Sequence, residues 1–166
     1  QLLENTFGGS GYDIACAQNN TPILYTKNSK NPFVENVKFN PSFKENLYFV
    51  YLNKKQNSRE GIQRFKQLKG NLTSEINQIS SLTDAFLTCK NLNDFEKIVI
   101  EHEKIVSKTI HLKTIQEELF SDYFGKTKSL GAWGGDFILA TGNEATPNYF
   151  KQKGFETVIP YKKMEI

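Results

Sequence analysis

Two glycine-rich stretches carry the side chains of this sequence whose types and spacing could do chemistry. The first, Phe-Gly-Gly-Ser-Gly-Tyr-Asp-Ile-Ala at residues 7–15, sets Gly8, Gly9, Ser10, Gly11 and Tyr12 ahead of a lone carboxylate, Asp13. Glycine tolerates positive φ and has no Cβ, so this backbone can turn sharply and approach a ligand, at an entropic cost in folding. The small residues that follow predict a short helix beginning at or near Asp13. A carboxylate there can anchor and deprotonate a hydroxyl, or simply occupy the first turn of a helix. The second stretch, Lys-Ser-Leu-Gly-Ala-Trp-Gly-Gly-Asp at 128–136, holds Gly131, Gly134 and Gly135 between Lys126 and Lys128 on one side and Asp136 on the other. Its backbone amides could cradle a phosphate, or the glycines could form a tight turn before a strand. Neither stretch is a Walker A loop or a dinucleotide fingerprint, because GKS, GKT and a strand-GxGxxG-helix context are all missing.

A third polar run, Asn53-Lys-Lys-Gln-Asn-Ser-Arg59, offers Lys54, Lys55, Ser58 and Arg59 to an anionic group, or forms a solvated loop. Trp133, the only tryptophan, either walls a pocket or fills the core. Metal chemistry has little to build on: Cys16 and Cys89 are isolated, with no CxxC, and His102 and His111 stand nine apart, off any shared helical face. The expectation is therefore no metal site, with two free buried thiols in a reducing cytoplasm and His102 packed structurally. A net charge of +3 containing only two arginines, Arg59 and Arg64, argues against a nucleic-acid partner. The aromatic strand Tyr48–Tyr51 also has no interleaved Lys or Arg with which to bind RNA. No apolar run approaches the roughly 18 residues of a membrane span, and the first residues do not read as a signal peptide. A soluble cytoplasmic protein without a membrane partner is expected.

The elements that must position these residues follow from periodicity. Thirteen Phe and seven Tyr in 166 residues supply enough large apolar area for a single folded domain without disulfides. Residues 22–27 predict a strand, and Phe33, Val37 and Phe39 a second. Leu47–Asn53 alternates with both faces apolar, as in a strand inside a covered sheet. A helix from about Ser58, capped by that serine, would carry Ile62, Phe65 and Leu68 on one stripe. Longer helical stripes follow at Leu72, Ile76, Ile79, Leu82 and Phe86, and at Phe95, Ile98, Val99, His102, Ile105 and Val106, all expected to be core. Asn93 with Glu96 three later resembles a capping box, and a third helix spans about Lys113 to Tyr123, ending at Gly125. Strands at 137–141 and 157–161 flank a short helix over 149–153; Pro160 puts the last strand at an edge. The order implies an α+β fold, a largely antiparallel sheet covered by helices on one face.

Gly-Gly-Ser-Gly-Tyr-Asp-Ile-Ala resembles the GSGxDxA segment that carries the active-site aspartate in the GHMP kinases, and is nearest to a bacterial group marked by the string GYDIA. Residues 128–136 resemble that family's third, glycine-rich motif, departing from its usual GxGGGG by carrying Trp133 and Asp136. Asn53–Arg59 falls where mevalonate-type members place a strand-to-helix turn rich in Ser and Thr. The resemblance runs from about Leu2 to the C-terminus. It implies the ferredoxin-like C-terminal domain of such a kinase, with Asp13 catalytic in phosphoryl transfer from ATP, assisted by Mg2+, to a hydroxyl or phosphate of a mevalonate-like small molecule. Gly11, Tyr12, Lys55, Ser58, Arg59 and Trp133 would then meet substrate, while Gly9, Ser10, Gly131, Gly134 and Gly135 would support the phosphate loop.

The family's ATP loop, PxxxGLGSSAA, precedes the aspartate segment and has no counterpart here. Together with a start at Gln1 rather than Met, this leads to the expectation that residues 1–166 form the C-terminal half of the kinase. Residues 1–20 would then lie at the junction to an N-terminal ATP-binding domain. That half would also bring the lysine that pairs with the aspartate, and without it the segment would be inactive alone and prone to dimerise through the uncovered face. A mevalonate diphosphate decarboxylase and a sugar kinase are the neighbouring enzyme readings. A different class of reading is a stand-alone module that binds a small anion or a partner protein without catalysis.

Overall fold

A computed structural model of the chain describes residues 10–27, 31–54, 58–68, 70–131, 133 and 136–164. Its backbone contacts divide the chain into two compact units, residues 1–40 and 41–165. In the first, helix α1 (Tyr12–Ala17) is followed by an antiparallel hairpin of β1 (Ile23–Thr26) and β2 (Phe33–Asn36), with Ile23 opposite Asn36 and Thr26 opposite Phe33. Both predicted strands form, but β2 is exposed throughout and Phe33 is 58% exposed.

The second unit carries β3 (Leu47–Tyr51), helices α2 (Ser58–Gln67), α3 (Thr73–Thr88), α4 (Leu92–Ile110) and α5 (Ile115–Leu119), then β4 (Thr127–Ser129), β5 (Phe137–Thr141), α6 (Thr146–Gln152) and β6 (Val158–Pro160). The four strands form one sheet in the order β4-β5-β3-β6, every pairing antiparallel, so the fold is α+β as expected. The twice-apolar strand β3 lies inside the sheet and the proline-bearing β6 at its edge, as their sequences require.

Strand register decides which side chains meet the helices. Val50 lies opposite both Ile138 and Val158, and Tyr48 opposite Ala140, so these share one face. There Val50, Ile138 and Ala140 pack with Ile115, Phe120, Tyr123 and Phe150 from α5, the turn after it and α6. Phe120 makes edge contacts with Phe150 and Phe155 at ring-centroid distances of 5.0 and 5.3 Å, a favoured aromatic geometry. Tyr123 buries its hydroxyl in the same cluster. It donates to the Thr141 carbonyl at 2.6 Å and shares a 2.9 Å hydrogen bond with Thr146 Oγ1, and burial pushes its pKa up to about 12. On the opposite face Phe49, Tyr51, Phe137 and Leu139 are only half-buried.

The central helices bury less than their stripes predict. Helix α3 has no buried residue, with Ile76 57% exposed, and Phe65 on α2 is 53% exposed. Helix α4 buries Phe95, Val99 and Glu103, spaced by four, and packs on α3 and β4. Its cap is Asn91, whose side chain accepts from the Asp94 amide at 2.9 Å, rather than Asn93. The capping box of this region lies instead at Thr114 and Glu117, opening α5, which ends at Leu119, well short of Tyr123. Lys128 and Ser129, expected in a loop, belong to β4.

Edge strand β4 exposes outward-facing amides that would invite pairing with another chain. Two helices block it with polar side chains. Thr127 N donates to Gln116 Oε1 at 3.0 Å, and Ser129 N to Glu103 Oε2 at 3.1 Å. The edge is thus closed from within the unit.

Candidate functional site

The expected site residues fall into both units. In the first, Gly11 is the N-cap of α1 with φ 84, the left-handed conformation that glycine adopts without a Cβ penalty, and its carbonyl accepts from Ala15 N at 3.1 Å. That turn sets Asp13 in the first helical turn, exposed to solvent, and leaves Tyr12 48% exposed beside it. Ser10 holds the approach to the turn. Its carbonyl accepts from the Tyr25 hydroxyl on β1, and its Oγ accepts from Tyr12 N at 3.5 Å. Ser10, Gly11, Tyr12 and Asp13 therefore share one turn, buttressed by the hairpin. Gly9 lies outside the described residues. Cys16, expected to be buried, is exposed on the same helix, because only Ala15 of α1 turns inward.

In the second unit, Gly131 and Trp133 lie between β4 and β5, both with left-handed backbone at φ 62 and φ 56. Gly134 and Gly135 are outside the described residues, as is Lys55; Ser58 and Arg59 open α2. The end of the glycine stretch meets the start of the polar run: Asp136 N donates to the Lys54 carbonyl at 2.6 Å, and Leu52 N to the Asp136 carbonyl at 2.7 Å. These bonds prolong the β3–β5 ladder beyond Tyr51 and Phe137, so the two segments are joined at their bases.

Trp133 is core rather than pocket wall. It is 8% exposed and donates its indole N–H to Glu103 Oε1 at 3.3 Å. Around that carboxylate, 3% exposed, stand Lys128 Nζ at 3.9 Å and His102 Nδ1 at 3.7 Å, the latter buried without a hydrogen-bond partner among the described residues. Sequence reasoning passed over Glu103 because its neighbours on the stripe, Phe95 and Val99, read as core. The legible signal was a carboxylate at the next position of that stripe, which is buried only with partners.

Lys128 shows the cost of the arrangement. Desolvation lowers its amine below the ordinary lysine pKa, with the Glu103 carboxylate opposing the shift only in part. Between the folded value and 10.5 the unfolded chain holds a proton that the folded chain has released, so stability rises with pH across that window. Urea unfolding near pH 7 and near pH 10 should therefore show the wild type gaining stability relative to Lys128→Met as pH rises. An unchanged difference would mean that the buried amine does not titrate in this way.

Among the described residues no group of three or more His, Cys, Asp or Glu could hold a metal, and no helix is long and apolar enough to cross a membrane. An open cleft of about 540 Å³ in the second unit is lined by Glu45, Asn46, Tyr48, Asn143, Glu144 and Ala145, none of them an expected site residue. The fold is that of an antiparallel α+β protein with an exposed aspartate on a glycine-capped turn. No family model matches the sequence, and no curated protein matches it.

Proposed function

We propose that the chain supplies the aspartate and acceptor-binding part of an ATP-dependent small-molecule kinase of the GHMP type, acting on a mevalonate-like alcohol or its phosphate. One observation carries this reading: within Gly-Gly-Ser-Gly-Tyr-Asp-Ile-Ala, left-handed Gly11 caps α1 and leaves Asp13 exposed on its first turn. In the reaction the acceptor oxygen bonds to the γ-phosphorus of ATP as the bond to the β–γ bridging oxygen breaks. ADP leaves with that electron pair. Where the acceptor is an alcohol, its hydroxyl proton passes to the Asp13 carboxylate, and where it is a phosphate, its ionised oxygen attacks with no proton to lose. Phosphoryl transfer demands mainly positioning and charge stabilisation, and the turn built by Ser10, Gly11 and Tyr25 would set the backbone position from which Asp13 supplies the first.

Among the described residues no group of three or more His, Cys, Asp or Glu gathers around Asp13 to make a multidentate magnesium site. No PxxxGLGSSAA loop lies in this sequence either. In this reading the nucleotide and its metal are therefore held by another polypeptide segment.

The test is ATP-dependent phosphorylation of mevalonate and of phosphomevalonate by a protein that joins this chain to its nucleotide-binding segment, alongside Asp13→Asn. Loss of the proton acceptor should lower kcat by about 10²- to 10⁴-fold with little change in KM for the alcohol. Two inert alcohols, or a variant with full activity, would sink the proposal. Binding of phosphomevalonate with the same affinity by the wild type and Asp13→Asn, without turnover in either, would favour a non-catalytic anion-binding module.

A further inference from the structure

The buried carboxylate of Glu103 has no part in the proposed reaction, yet it joins the last residue of β4 to Trp133. Its two oxygens serve two donors four residues apart in the chain: Oε2 accepts from Ser129 N at 3.1 Å and Oε1 from Trp133 Nε1 at 3.3 Å. Trp133 has left-handed backbone, φ 56, which a bulky L-residue keeps only when its surroundings hold it there. The indole is buried, its single polar atom is satisfied by Glu103, and the carboxylate is kept in place by α4, whose Phe95 and Val99 anchor the same face.

We propose that Glu103 is a positioning residue, a latch that holds the end of β4 at Ser129 and the left-handed Trp133 on one buried anion. Among the described residues, Lys128 and His102 are the titratable groups that face it, at 3.9 and 3.7 Å. Lys128 Nζ also donates to the Ser129 carbonyl at 3.2 Å, so the same residue is held through its amide and its carbonyl. With the latch removed, the left-handed conformation of Trp133 loses its support, and the indole moves toward solvent while the sheet and its aromatic core persist. Any consequence for phosphate binding rests on the kinase reading; the latch does not.

Because Trp133 is the only tryptophan, tryptophan fluorescence reports its surroundings alone. In Glu103→Ala, acrylamide quenching should rise severalfold and the emission shift to the red, under conditions where far-UV circular dichroism shows the variant folded. Glu103→Gln keeps one acceptor oxygen and should fall between the two. Phe150→Leu, in the aromatic cluster and 0% exposed, should lower the melting temperature without changing the quenching. Unchanged quenching in folded Glu103→Ala would overturn the proposal, as would an equal rise in Phe150→Leu.

If Glu103→Ala does not fold, hydrogen exchange in the wild type decides. The indole N–H of Trp133 and the amide of Ser129 should exchange with one common opening free energy, and widely different protection would overturn the latch. None of these measurements uses ATP, so their failure is separate from failure of the kinase reading.

Discussion

Phe120→Ala is expected to destabilise the second unit by about 4 kcal/mol, a large fraction of the roughly 5–15 kcal/mol that holds a domain of this size folded. Phe120 is 0% exposed, and its ring meets those of Phe150, Phe155 and Tyr149 at 5.0, 5.3 and 6.5 Å. Its neighbours cannot readily collapse into the vacated space. Phe150 is itself fully buried in α6, and Tyr123 is tied through its hydroxyl to the Thr141 carbonyl and Thr146. The transfer and cavity contributions therefore add. Urea unfolding followed by far-UV circular dichroism would measure the loss. The same truncation of half-exposed Phe65 on α2 should cost less than 1 kcal/mol, because that ring gives up little burial. Equal losses at the two positions would show that the aromatic cluster is not the centre of this core.

The contrast between Phe120 and Phe65 also marks where the sequence could be read and where it could not. The run Leu47–Asn53, apolar on both faces, of which Leu47–Tyr51 forms the strand, and the proline at 160 located the interior and edge strands, because both signals act within a few residues. Gly11 and the small residues after Asp13 located α1 for the same reason. Helical stripes proved less informative. A 3.6-residue period shows that a face is apolar and leaves open what covers it, so Phe65 and Ile76 read as core although they stand 53% and 57% exposed. The glycine stretch at 128–136 hid β4, since glycines dominate such a window while Thr127–Ser129 gains its strand conformation from pairing with β5. For the candidate site, Asp13 and its turn were legible locally. Glu103 was not, because its partners Ser129 and Trp133 lie 26 and 30 residues away.

Gly125→Ala is the second large loss to expect, about 3 kcal/mol, and it arises from overpacking rather than from a cavity. A Cβ at residue 125 would lie well inside contact distance of the Thr141 carbonyl oxygen and 2.9 Å from both the Thr141 carbonyl carbon and Tyr123 Cε1. The carbonyl group is backbone at the end of β5, and it is already fixed by accepting from the Tyr123 hydroxyl at 2.6 Å, so it cannot yield like the tip of a side chain. The chain on either side is held as well: Gly125 O accepts from Gln116 Nε2 at 2.9 Å, and Thr141 N donates to the Lys126 carbonyl at 2.8 Å. Relief would have to come from parting β4 and β5 where they begin to pair, which would also pull Thr127 N away from Gln116 Oε1. Gly131→Ala separates this cause from backbone strain. Its Cβ would meet no described residue within 4 Å, so its φ of +62 is what opposes the substitution, which should therefore cost about 1 kcal/mol. Thermal unfolding of the two variants should rank Gly125→Ala well below Gly131→Ala. The reverse order would mean that left-handed backbone after β4, rather than the close approach of Gly125 to β5, limits what this region can accept.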